Sequence, residues 1–129
     1  MHFLQSTIDN EHVLVANSLA ELYTWVDSLY AVHDDRKSNT GSAMSFGCGV
    51  FGTKSTKQKL NTKSSTESEV VSVSDCLPSN IWTENFWTHQ GNDLNENTLY
   101  QDYTSAIKLE CNGWDSCGQK SQHIDIRYF

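Results

Sequence analysis

A lone carboxylate inside an apolar run constrains this chain more than any other feature. Leu22-Tyr23-Thr24-Trp25-Val26-Asp27-Ser28-Leu29-Tyr30 mixes aromatic and aliphatic residues and reads as a strand, with Asp27 as its one charge. Burying a carboxylate among such neighbours is costly unless something compensates. Either Asp27 stays partly exposed or it meets a cation. A hard divalent ion such as Mg²⁺ suits the second case, since it takes oxygen ligands from a few carboxylates, phosphates and water.

Two further carboxylates stand in marked contexts. Ser64-Ser65-Thr66 offers N-cap candidates, and Glu67 and Glu69 then fall where a helix dipole favours negative charge. Thr98-Leu99-Tyr100-Gln101-Asp102 reads as a short strand ending on Asp102. Each has an ordinary structural explanation: Asp27 as an exposed strand residue, Glu69 as a helix-start carboxylate, Asp102 as a cap on the next helix.

The remaining pattern predicts strands at 13–16, 43–51 and 54–60, with a polar turn over 34–41. The helix opened at 64–66 carries Val70, Val73 and Leu77 at helical spacing. Pro78 cannot continue it without breaking a hydrogen bond, so a second helix is expected from Pro78 to His89, with Ile81, Trp82 and Phe86 on one face and Gly91 as its stop. A short helix over 104–110 and the opening of another over 119–129 complete a mixed α/β layout of helices on a sheet.

A length of 129 residues suits one domain. No stretch approaches the roughly 20 apolar residues of a membrane helix. The first residues lack the basic segment and apolar run of a signal peptide, so Cys48, Cys76, Cys111 and Cys117 are expected as thiols. Cys111 and Cys117 also lack the close spacing and matching second pair of a zinc site. The net charge of −7 argues against simple electrostatic nucleic-acid binding, yet six of nine basic residues lie between Arg36 and Lys63. A local basic edge and a solvated loop fit that clustering equally.

Five ordered stretches together resemble the RNase H domain of copia-type retrotransposon polyproteins. Trp25 to His33 is similar to the first strand, with its first catalytic Asp at Asp27. Arg36-Lys37-Ser38-Asn39-Thr40-Gly41 is similar to the following Arg-Ser-x-Thr-Gly turn. Lys57-Gln58-Lys59 and Ser64-Ser65-Thr66-Glu67-Ser68-Glu69 are the most specific, matching Lys-Gln-Lys and Ser-Ser-Thr-Glu-Ala-Glu, whose second Glu falls on Glu69. Tyr100 to Ile107 resembles the Asp-Asn-x-Ser-Ala strand end, with its Asp at Asp102 and Tyr103 where Asn is usual. His123-Ile124-Asp125-Ile126-Arg127-Tyr128 is similar to a helix start.

The resemblance implies an RNase H-like fold, mixed α+β, with a mixed sheet flanked by helices. Residues 1–21 are expected as the connection from a reverse transcriptase, and 22–129 as a domain lacking the family's last strand and its last helix with the fourth carboxylate. It implies hydrolysis of the RNA strand of RNA–DNA hybrids during reverse transcription. Asp27, Glu69 and Asp102 would be both catalytic residues and metal ligands, holding two Mg²⁺ or Mn²⁺ ions about 4 Å apart. Lys54, Lys57, Lys59 and Lys63 would face phosphates, with His33, His123 and Asp125 as accessory candidates. The implied partners are the hybrid and the reverse transcriptase of the same polyprotein, with no membrane. The implied location is a cytoplasmic retroelement particle, or the nucleus. An inactive retroelement remnant is the alternative. An integrase-like nuclease core is the third reading, since that fold also carries acidic residues on its first and fourth strands.

Overall fold

The computed structural model describes residues 5–112. The elements in chain order are β1 (Val15–Ala16), β2 (Glu21–Leu29), β3 (Asn39–Ser45), β4 (Gly47–Cys48), β5 (Gly52–Lys57), α1 (Ser65–His89), β6 (Glu96–Tyr100) and α2 (Thr104–Asn112). The expected helix over 119–129, with His123 and Asp125, lies outside the described residues, as does Cys117.

The main sheet runs β5-β3-β2-β6. β3 pairs antiparallel with β2 and β5, whereas β6 pairs parallel with β2 after the crossover through α1. This is a mixed α+β architecture with a mixed sheet and helices, consistent with an RNase H-like fold. β1 and β4 form a separate antiparallel ribbon. Gly49, just past β4, is required by geometry: its φ is +83°, and a Cβ there would stand 2.1 Å from the Val13 carbonyl oxygen.

The period-two alternation of β2 sorts its side chains. Leu22, Thr24 and Val26 are buried, while Trp25 and Asp27 are exposed. α1 lies on the buried face. Val73 and Cys76 pack with Val26 and Leu99, and Asn80 Nδ2 donates to Thr24 Oγ1 at 2.8 Å. α2 docks beside α1 through Ala106 against Val70, with Tyr103 alongside.

Several sequence expectations are corrected. α1 is one 25-residue helix that carries Pro78 inside it. Proline removes one hydrogen bond and crowds the preceding turn. The helix continues because the sheet holds both sides of it: Val70, Val73 and Cys76 are buried before the proline, and Asn80 and Thr83 after it. Leu77, expected on the core face, is exposed, and so are Ile81, Trp82 and Phe86. β3 begins at Asn39, inside the segment read as a turn, and stops at Ser45, where the strand had been expected to run to 51. Thr40 can sit in that strand because its hydroxyl meets Ser72 Oγ at 3.1 Å in the buried layer. β6 stops at Tyr100, so Asp102 lies just beyond the strand. The helix stop was placed correctly: Gly91 follows the C-cap with φ +84°.

Candidate metal centre

Three elements converge where β2, α1 and β6 meet. The parallel register pairs Trp25 with Tyr100, so Asp27 and Asp102 each lie two residues further along adjoining chain segments. Glu69 arrives from the start of α1. That start is fixed by Ser64 Oγ, which accepts from the Glu67 backbone N–H at 3.2 Å, while Glu67 Oε2 accepts from the Lys63 backbone N–H at 2.8 Å. One carboxylate oxygen each from Asp27, Glu69 and Asp102 lies within 4.8 Å of the others.

The three differ in surroundings. Asp27 and Asp102 are exposed, whereas Glu69 is 6% exposed. Burial pushes the Glu69 carboxyl above its ordinary range, and the charges of Asp27 and Asp102 push the same way. Hydrogen bonds from Ser28 and from Gln101 Nε2, the latter at 3.4 Å, oppose the rise. Ser28 is itself held by Ser68 Oγ at 2.8 Å. The donor set is all carboxylate oxygen, which suits Mg²⁺ or Mn²⁺ rather than a soft ion.

A buried polar hub supports this corner. Gln58 Nε2 lies 3.1 Å from Thr40 Oγ1, 2.9 Å from the Ser68 carbonyl oxygen and 3.0 Å from Ser72 Oγ. It ties the end of β5 to the turn of α1 that carries Glu69. Sequence reasoning missed Gln58, Ser28 and Gln101, because short polar residues beside charged ones read as solvated. The Lys57-Gln58-Lys59 motif was the available signal, and its central residue is the buried one. A fourth acidic side chain, Glu110 on α2, was also missed. Burial and the charge of Glu69 raise its pKa to about 7, and among the described residues its buried Oε1 has no hydrogen-bond partner.

The expected basic residues are dispersed and partly engaged. Lys54 Nζ donates to the Asp75 carbonyl oxygen at 3.1 Å, and Lys57 pairs with Asp35 at 2.7 Å. Lys59 and Lys63 are exposed in the loop between β5 and α1. Tyr103, beside Asp102, accepts a hydrogen bond from Ser65 Oγ at 3.2 Å and so braces the start of α1. His33 lies in the β2–β3 turn, where its backbone N–H donates to the Lys37 carbonyl at 3.2 Å.

A cleft of about 660 Å³ opens beside the carboxylates, lined among others by Trp25, Asp27, Ala43, Tyr100 and Asp102. Among the described residues, no helix is long and apolar enough to cross a membrane.

In comparison with known proteins, the chain is 34% identical over 95 residues to the retrovirus-related Pol polyprotein from transposon TNT 1-94 of Nicotiana tabacum. The match covers 74% of this chain and 7% of that polyprotein. No protein-family model matches the chain. No solved structure matches it.

Proposed function

We propose that this chain, homologous to part of a retrotransposon Pol polyprotein, is a metal-dependent nuclease domain that hydrolyses the RNA strand of an RNA–DNA hybrid. The observation that carries this reading is the meeting of Asp27, Glu69 and Asp102 within 4.8 Å at the junction of β2, α1 and β6. Asp27, Glu69 and Asp102 would hold two Mg²⁺ or Mn²⁺ ions, which when bound supply Lewis-acid charge and a water of lowered pKa.

The chain's own residues set the geometry. Ser28 and Gln101 orient Glu69, so the buried ligand is fixed while Asp27 and Asp102 remain open to substrate. Such outer partners commonly matter almost as much as the ligands themselves. Lys59 and Lys63, exposed in the loop before α1, and Lys54, which lines the carboxylate cleft, would meet phosphates, with Lys57 joining them on release from Asp35. The hybrid would be recognised by shape and 2′-hydroxyls rather than by base sequence. The reverse-transcriptase part of the same polyprotein would deliver it.

The test is cleavage of an end-labelled RNA–DNA hybrid by the full chain with Mg²⁺ or Mn²⁺, with circular dichroism on the same samples. Metal-dependent cleavage that disappears in Asp27→Asn is expected. A folded chain without activity would instead favour the inactive-remnant reading.

A further inference from the structure

We propose that Ser68 is a positioning residue of the carboxylate centre, clasping α1 to β2 beside the ligands these elements carry and turning the Ser28 hydroxyl toward Glu69. That role rests on reading the three carboxylates as a metal site. Ser68 immediately precedes Glu69, and Ser28 immediately follows Asp27. Their hydroxyls meet at 2.8 Å, with Ser68 Oγ donating. The neighbours of two ligands on separate elements are thus joined directly, where the carboxylates converge.

The backbone and side chain of Ser68 are all engaged. Its N–H donates to the Ser64 carbonyl oxygen at 3.1 Å, and its own carbonyl accepts from Gln58 Nε2 at 2.9 Å. A helical serine often turns its hydroxyl back onto a carbonyl of its own helix. Here the hydroxyl leaves the helix and crosses to the sheet, and Ser68 is fully buried, so water does not compete for it. Ser72, one turn further along α1, makes the matching contact with Thr40, which stands opposite Ser28 in the β2–β3 register. One face of α1 is thereby fastened to paired positions on two strands. The direction of the protons follows. A serine hydroxyl has a single proton to give. Ser28 Oγ accepts from Ser68, which leaves its own proton for Glu69. Linked hydrogen bonds of this kind strengthen one another. The other hydrogen bond to the Glu69 carboxylate, from Gln101 Nε2, is long at 3.4 Å. The retrotransposon motif that this stretch resembles has Ala at the place of Ser68, so Ser68→Ala removes the hydroxyl and leaves a residue that suits the helix.

The experiment is calorimetric titration of the full chain with Mn²⁺, without nucleic acid and well below the melting temperature of each metal-free sample. Wild type is compared with Ser68→Ala, Ser28→Ala and the double variant. Ser68→Ala is expected to bind Mn²⁺ roughly tenfold more weakly. Because Ser68 acts through Ser28, the double variant should bind no more weakly than Ser28→Ala alone. Thr83→Ala separates positioning from stability, since it removes a buried hydroxyl towards the other end of α1. It should lower the melting temperature and leave the affinity unchanged. Wild-type affinity in folded Ser68→Ala, wild-type affinity in Ser28→Ala, additive losses in the double variant, or an equal loss in Thr83→Ala would each overturn the proposal. A folded wild-type chain that takes up no Mn²⁺ would overturn the metal centre itself, and the role of Ser68 with it.

Discussion

Glu69 and Glu110 are both carboxyls that burial raises, and the charge of Glu69 adds to the rise at Glu110. For Glu110 the consequence for stability has a definite sign. Its folded-state pKa of about 7 exceeds the ordinary value of 4.5, so the native chain keeps a proton that the unfolded chain has released. Stability is therefore predicted to fall as pH rises from 4.5 to about 7 in metal-free buffer. Thermal melts across that window should show a shallower fall in Glu110→Gln. Gln101 supplies a second test, because its amide donates to Glu69. Gln101→Leu should weaken Mg²⁺ binding roughly tenfold, measured by calorimetry, with little change in the melting temperature. Context drew attention to Asp27, Glu69 and Asp102 but left each an ordinary structural explanation, and only the resemblance to the retrotransposon motifs grouped them. Gln58 was not legible, since nothing local marks a glutamine between two lysines as buried. Its environment depends on Ser68 and Ser72, which arrive from a different element.

Among the elements, α1 departs most from the sequence pattern. A proline stop is a local rule, and here a tertiary surface on both sides of Pro78 overrides it. The ring keeps its cost even so. Pro78→Ala restores a backbone donor on the exposed side of α1 and is predicted to stabilise the chain by about 1–2 kcal/mol, read by urea denaturation. The strands show the converse limit. Leu22, Thr24 and Val26 alternate with Tyr23, Trp25 and Asp27, so the period was readable, but which face would be covered was not. Aromatic residues in a strand suggest a core, yet among the described residues Trp25 and Tyr100 stay exposed on the face away from α1. β3 started early because Asn39 and Thr40 find partners in Ser55 on β5 and Ser72 on α1, and such partners from other elements are invisible in a single segment.

Over the described residues, a run of strands before the helices and the meeting of three carboxylates could be anticipated, whereas the single long helix and the polar character of the interior could not. Among the described residues the buried apolar set is Leu22, Val26, Val70, Val71, Val73, Cys76 and Ala106, and serines and threonines fill much of the remaining interior. An interior of this kind depends on its hydrogen bonds, so truncating the hub that makes three of them through Gln58 Nε2 should be costly. Gln58→Ala is predicted to destabilise the chain by about 1–3 kcal/mol in the same urea assay. Metal binding should act in the opposite direction. At a Mg²⁺ concentration tenfold above its dissociation constant, mass action adds about 1.4 kcal/mol to the native state.

The most direct measurement is Mn²⁺ binding to the full chain, followed by electron paramagnetic resonance as free ion is lost from solution. Wild type is predicted to take up Mn²⁺ in competition with Mg²⁺. The Asp27→Asn, Asp102→Asn double variant should lose that uptake while keeping its circular dichroism. Uptake unchanged in a folded double variant would contradict a metal centre built from Asp27, Glu69 and Asp102.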